Sequence, residues 1–197
     1  MCQCYYLGMR TAGFVLVGGR STRMGTDKAL LPWRDTTLVH DIAMKVREAA
    51  GNVVLVGNPG MYDATGIDSV ADLHPGFGPL SGVEAALASG RGDLNLIVAC
   101  DLPLLETEWL KRLLETARSR DVKCLVASDS DGRVHPLCGV YRHDCLKVVQ
   151  NAVHASRLRV METIEELAAE TLSIDAPLWN VNTPVDWQKC QELANGG

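Results

Sequence analysis

A chain of 197 residues is the length of one domain with one sizeable core, and 47% hydrophobic against 22% charged residues is the balance of a soluble globular protein. A formal net charge of -5 argues against a long nucleic-acid partner, although a few cations gathered in a cleft still suffice for a nucleotide. No apolar run reaches the length of a membrane span, residues 1–13 lack the features of a secretory signal, and seven scattered cysteines fit a reducing cytoplasm.

Residues 1–12 are expected to form a flexible extension, with Cys2 and Cys4 as an isolated C-x-C pair, ahead of a single domain spanning 13–197. Phe14 to Val17 is a short apolar run that reads as a buried strand. After a glycine-rich loop, Leu38, Val39, Ile42, Ala43, Val46 and Ala50 line one side of a helix that Gly51 stops. Val53 to Val56 predicts a second buried strand and Ile67 to Val70 a short third. Pro75-Gly76-Phe77-Gly78-Pro79 is irregular and leads into a helix over Leu80 to Ala88. Leu94 to Cys100 is a strong strand ending at Asp101, and Glu106 to Arg118 a helix. Val122 to Ala127 and Val134 to Tyr141 read as strands joined by the turn Asp129-Ser130-Asp131-Gly132. His143 to Val153 and Val160 to Leu167 are helical, and Thr183-Pro184-Val185-Asp186 sets an N-cap, a proline at N1 and an acid at N3 of a closing helix. Apolar strands each followed by a helix predict an α/β fold. The expected form is a single-domain three-layer αβα sandwich around a mostly parallel, Rossmann-like sheet.

In such sheets ligands sit outside the carboxyl ends of the strands. The first of those ends opens into Gly18-Gly19-Arg20-Ser21-Thr22-Arg23-Met24-Gly25-Thr26-Asp27-Lys28. Its glycines let backbone N–H groups approach an anion, and Arg23 and Lys28 add mobile positive charge, a combination suited to a nucleoside triphosphate. The spacing is neither that of a P-loop nor that of a dinucleotide fold. Asp101 ends a central strand facing this loop. It either caps the next helix or holds Mg²⁺, which binds through one or two carboxylates plus substrate phosphates, and the neighbouring cationic loop favours the metal. Asn58 and Asp72 follow strand-like runs and are candidates for base or ribose, while Gly78 and Gly82 permit close packing on a flat ligand. Asp27 reads as a residue that orients Lys28 or binds loop amides, since an attacking phosphate is already ionised and needs no general base. Cys100, Cys124 and Cys138 read as small core residues, and His40, His74, His143 and His154, without ligand spacing, as ordinary surface or core histidines.

The loop from Leu16 to Lys28, then Gly78-Pro79-Leu80-Ser81-Gly82, Cys100-Asp101-Leu102-Pro103, His135-Pro136, Arg159-Val160-Met161 and Asn180-Val181-Asn182-Thr183-Pro184 occur in that order. Together they resemble the molybdenum cofactor guanylyltransferase family, within the nucleotidyltransferase superfamily of nucleotide-diphospho-sugar transferase type. The resemblance implies transfer of GMP from GTP to the terminal phosphate of Mo-molybdopterin, with release of pyrophosphate and Mg²⁺ as cofactor. By that likeness Leu16, Val17, Gly18 and Gly19 surround the nucleotide, Arg23 and Lys28 meet its phosphates, Asp72 contacts the guanosine and Asp101 holds the metal. Arg159, Asn180 and Asn182 match the pterin side, with His135 nearby. Val56 stands where some members carry a nucleotide-contacting Asn, which leaves Asn58 for that contact. Proteins that deliver molybdopterin and acceptor molybdoenzymes are the implied protein partners. A cytidylyl- or sugar-phosphate nucleotidyltransferase, and a non-catalytic nucleotide-binding module, are the competing readings.

Overall fold

Phe14 and Leu16 face one core, Val15 and Val17 the other, and this two-sided burial along the first strand organises the molecule. The computed structural model describes residues 8–18 and 27–195. In chain order its elements are β1 (Thr11–Leu16), a tiny hairpin of β2 (Pro32–Trp33) and β3 (Thr36–Thr37), and α1 (Leu38–Ala50). Then come β4 (Val54–Gly57), β5 (Ser69–Ala71), α2 (Pro79–Ala88), β6 (Leu94–Ala99) and α3 (Thr107–Ser119). The second half holds β7 (Cys124–Ser128), β8 (Val134–Arg142), α4 (Leu146–His154), α5 (Val160–Glu166), β9 (Glu170–Ser173) and α6 (Pro184–Asn195).

Seven strands form one sheet in the order β5-β4-β1-β6-β8-β7-β9. Every neighbouring pair is parallel except those made by β8, which runs antiparallel to both β6 and β7. The reversal comes from the turn at Asp129–Gly132, where Gly132 takes a φ of +77° and its N–H reaches the Asp129 carbonyl at 2.9 Å. Helices α1, α3 and α6 cover one face, and α2, α4 and α5 the other, giving the expected three layers. Gly13 is required where α1 crosses β1, because a Cβ there would lie 2.5 Å from Val46 Cγ1 and 2.6 Å from the Asn52 carbonyl oxygen. Among the described residues no helix is long and apolar enough to cross a membrane.

The expected elements are present, with three differences. Strand β1 begins at Thr11, and Ala12 is buried, so the ordered domain starts inside the expected 1–12 extension; residues 1–7, with Cys2 and Cys4, lie outside the described residues. The β2–β3 hairpin was not anticipated; its Trp33 is buried and meets Trp187 of α6 at 5.3 Å between ring centroids. Edge strand β9 was not anticipated either, since most of its residues are exposed and carry no apolar alternation.

Candidate functional site

Strands β4, β1 and β6 lie side by side and parallel, so their carboxyl ends reach one rim. Leu16 pairs with both Val56 and Ala99, which sets Val17, Gly57 and Cys100 at one level. The ladder continues past the strand ends, with Val17 N–H on the Val56 carbonyl at 2.9 Å and Cys100 N–H on the Leu16 carbonyl at 3.2 Å. A cavity of about 770 Å³ opens there. It is lined by Leu16, Val17, Gly18, Lys28, Asp72, Pro75, Gly76, Gly78, Pro79, Gly82, Ala99, Cys100, Asp101 and Leu137. Most of the nucleotide-side residues singled out from the sequence therefore share one hollow.

Asp101 and Lys28 meet in its lining. Lys28 Nζ donates to Asp101 Oδ2 at 2.9 Å, and both side chains are more than four-fifths buried. The second carboxylate oxygen, Oδ1, accepts from Asn180 Nδ2 at 3.2 Å. Lys28 Nζ also reaches the Val181 carbonyl at 3.3 Å, and the Val181 N–H returns to the Asp101 carbonyl at 2.9 Å. The carboxylate is thus held from both sides, by the start of the chain and by its end. Lys28 is positioned by a short 3-10 turn, Lys28–Leu30, whose N-cap is Asp27. Asp27 Oδ1 accepts the Ala29 N–H at 3.0 Å, and Oδ2 accepts the Tyr62 hydroxyl at 2.7 Å. Burial first, then the Asp27 carboxylate, keeps the Tyr62 phenol well above its ordinary range, so it stays a donor. Asp27 accordingly orders the lysine turn, as the sequence suggested.

Helix α2 forms the opposite wall. Pro79 occupies its first turn, and Gly78, at φ +80°, caps it without a side chain, so the cavity meets open backbone at a helix N-terminus. A Cβ on Gly82 would sit 3.3 Å from Leu16 Cδ2, so this glycine lets α2 settle tightly on β1. Asp72 lies just past β5; its Oδ1 accepts the His74 N–H at 3.0 Å and the Ser81 hydroxyl, fixing the loop against the helix. Cys100 lines the cavity, but burial, then the neighbouring Asp101 charge, pushes its thiol up to about 12, so it is no nucleophile at neutral pH.

A smaller hollow of about 110 Å³ adjoins the first, sharing Ala99 and Leu137 with it. His135 and Asn180 line it, together with Arg133 and Pro136. It exists because β8 bulges: Val126 pairs with Gly139 but Ala127 pairs with His135, leaving residues 136–138 unmatched by β7. His135 is buried, with Nε2 2.9 Å from Asp129 Oδ2. Asp129 Oδ1 accepts the N–H groups of Asp131 and Arg133. Burial pushes the Asp129 carboxyl up, yet the His135 hydrogen bond and the Arg133 N–H outweigh it and hold the group below the usual carboxylate range.

The remaining candidates stand apart. Asn58 is exposed and lines a separate depression behind Val17 with Tyr62 and Asp63. Arg159 caps α5, points a largely exposed guanidinium at Glu162 (3.1 Å), and lines neither hollow. Asn182 is exposed, and its backbone N–H serves Asp186 at 3.1 Å. Gly19 and Arg23 lie outside the described residues. The sequence reading missed Asp129 as the partner of His135, Ser81 as the partner of Asp72, and Leu137 between the two hollows; the S-D-S-D-G turn next to His-Pro was the available signal for the first.

The model of the MobA-like NTP transferase domain matches residues 13–170. A probable molybdenum cofactor guanylyltransferase of Carboxydothermus hydrogenoformans is 33% identical over 188 residues, covering 91% of this chain and 94% of its own. Among solved structures, molybdopterin-guanine dinucleotide biosynthesis protein A of Archaeoglobus fulgidus superimposes with a TM-score of 0.80 at 20% identity, over 94% of this chain and 100% of its own. A Mycobacterium tuberculosis protein in complex with manganese matches at a TM-score of 0.69 and 23% identity, over 93% of this chain and 98% of its own.

Proposed function

Since this chain belongs to the MobA-like NTP transferase family, we infer that it is a molybdenum cofactor guanylyltransferase, moving GMP from GTP to the terminal phosphate of Mo-molybdopterin. The observation that carries the residue roles is the Asp101–Lys28 pair at 2.9 Å, set at the mouth of a cavity on the carboxyl ends of β1 and β6. The acceptor phosphate attacks the α-phosphorus of GTP, the bond to the β-phosphate oxygen breaks, and pyrophosphate leaves with the bonding pair. Both reactants are anions, so the chain's work is positioning and charge neutralisation. Lys28 leaves Asp101 for the phosphates and stabilises the charge that grows on pyrophosphate, with Arg23 and the Gly18–Gly19 amides as its partners. The open first turn of α2 favours the same negative charge.

Asp101 and Asp72 are the carboxylates of the cavity lining, and an all-oxygen set suits a hard divalent cation. Asp101 is the residue we assign to hold Mg²⁺, which when bound screens the repulsion between acceptor and α-phosphate. Gly76, Gly78 and Gly82 leave room for a flat base, and Asp72 offers an acceptor to the adjacent N1–H and N2–H₂ donors of guanine, a pair cytosine lacks. Asn58 lies outside this cavity, which supports Asp72 as the base-reading residue. The smaller hollow, with His135 and Asn180, is assigned to the pterin side, where delivering and acceptor proteins would dock. A cytoplasmic setting fits the free, buried thiols of Cys100, Cys124, Cys138, Cys145 and Cys190.

The deciding experiment monitors pyrophosphate release from GTP with Mg²⁺ and Mo-molybdopterin, alongside nucleotide protection against proteolysis. The expected result is pyrophosphate formed only with the acceptor present, and stronger protection by GTP than by CTP. Equal turnover with CTP would assign a cytidylyl transfer instead, and binding without turnover a non-catalytic module.

A further inference from the structure

The loop that walls the nucleotide cavity also carries His74, and His74 belongs to a second cluster. Its Nε2 lies 3.4 Å from Oε2 of Glu84 on α2. His154, the last residue of α4, meets the His74 ring edge-on with centroids 6.3 Å apart. One ligand atom from each of His74, Glu84 and His154 lies within 4.8 Å of the other two. None of the three lines the nucleotide cavity.

Glu84 makes the cluster more than a coincidence of surface histidines. The residue is 2% exposed, and its Oε2 is buried and makes no hydrogen bond, although His74 Nε2 stands at ion-pair distance, 3.4 Å. A carboxylate oxygen withdrawn from water and left without a hydrogen bond is costly. A cation seated between the carboxylate and the two imidazoles removes that cost. Two imidazoles and one carboxylate form a recurrent zinc ligand set, and imidazole suits zinc and its neighbours rather than magnesium. Tetrahedral ligands at ordinary zinc distances stand about 3.3 Å apart, so the His74–Glu84 pair at 3.4 Å already fits and His154 has at most about 1.5 Å to close. The exposed His154 ring, at a helix end, has the rotamer freedom to supply that movement and leaves a path for entry. The loop that carries His74 is already anchored, since the His74 main-chain N–H donates to both Asp72 Oδ1 and Ser81 Oγ at 3.0 Å.

We propose that His74, Glu84 and His154 form a transition-metal site, with Zn²⁺ as the fitting ion and water in the fourth position, distinct from the site at Asp101. The ion ties the loop ahead of α2 to α2 itself and to the end of α4. It thereby braces the wall made by Pro75, Gly76 and Gly78. This assignment rests on the cluster's own geometry and holds whatever reaction the cavity performs.

The test titrates metal-free, full-length protein with Co²⁺ and records its visible d–d absorption, then displaces it with Zn²⁺. The expected result is one equivalent bound in the wild type and in Asp101→Ala. His154→Ala and Glu84→Gln should each weaken binding at least about tenfold, the scale of losing a ligand or its support. Zn²⁺, unlike Mg²⁺, should raise the melting temperature of the wild type and leave that of His154→Ala unmoved. His154 is exposed, so its replacement keeps the test valid should Glu84→Gln fold poorly. Absence of Co²⁺ absorption, binding undiminished in His154→Ala, or a thiolate-to-Co²⁺ charge-transfer band assigning the ion to cysteines would each overturn the proposal.

Discussion

The two halves of the sheet build their hollows by different rules. From β5 to β6 the strands are parallel, and the larger cavity lies outside their carboxyl ends, as it does in open α/β sheets generally. From β8 to β9 the order is mixed, and the smaller hollow depends on a reversed strand with three residues that β7 does not match. Topology alone creates the first; a local departure from regular pairing creates the second. The segment through Asn180 and Val181 stitches them together, because it reaches both Asp101 and Lys28.

That contrast is open to attack by mutation. The largest effect is expected from Asp101→Ala, which removes the carboxylate at the β6 end. Guanylyl transfer should fall by on the order of 10³, and the melting temperature should drop as Lys28 and Asn180 lose their common partner. Near-normal pyrophosphate release by this variant would take Asp101 out of the chemistry. Lys28→Ala should slow transfer by about 10² and also weaken GTP protection, because the same ammonium serves binding and leaving group. In the mixed half, His135→Ala should leave GTP protection intact and raise the KM for Mo-molybdopterin by about tenfold, the scale of one hydrogen bond lost from the smaller hollow. A matching loss of GTP binding would erase the division of labour between the halves.

The smallest effect concerns the stitch itself. Asp186 accepts from the Thr183 N–H at 2.8 Å and donates its own N–H to Thr183 Oγ1 at 3.2 Å, closing a capping box immediately after Asn182. The Thr183 hydroxyl and nearby N–H groups hold its carboxyl below the ordinary carboxylate value. A depressed folded-state pKa adds stability that is present above the unfolded value, about 4, and is lost as the pH drops toward the folded one. Denaturant unfolding should therefore find Asp186→Asn less stable than the wild type at pH 7, with the gap closing in acid. A gap that widened in acid would contradict this sign.

The same contrast explains what could be read from the chain. Asp101 was legible because Leu96 to Cys100 is an unbroken apolar run, which fixes where the strand ends and which side chain stands at its tip. Gly82 was legible through its glycine-rich approach to a patterned helix, whereas Asp72 was singled out from the equally placed Asn58 only by the resemblance of its motif. The Asp129–His135 contact was not, since it is made between side chains at the base of the hairpin turn, and strand periodicity does not report which turn side chain meets which. Arg159 shows the converse: its motif is in order along the chain, yet its guanidinium lines neither hollow. His74 and His154 read as ordinary because 80 residues separate them, and packing of α2 on α4 is what unites them.

Leu137, unmatched by β7 at the bulge, lines both compartments together with Ala99. An aliphatic septum of this kind has one thickness for both tenants, so a bulkier or slimmer residue there alters their separation without touching any polar group. The spacing between the two compartments therefore rests on aliphatic side chains, Leu137 and Ala99, and not on the ionic residues around them.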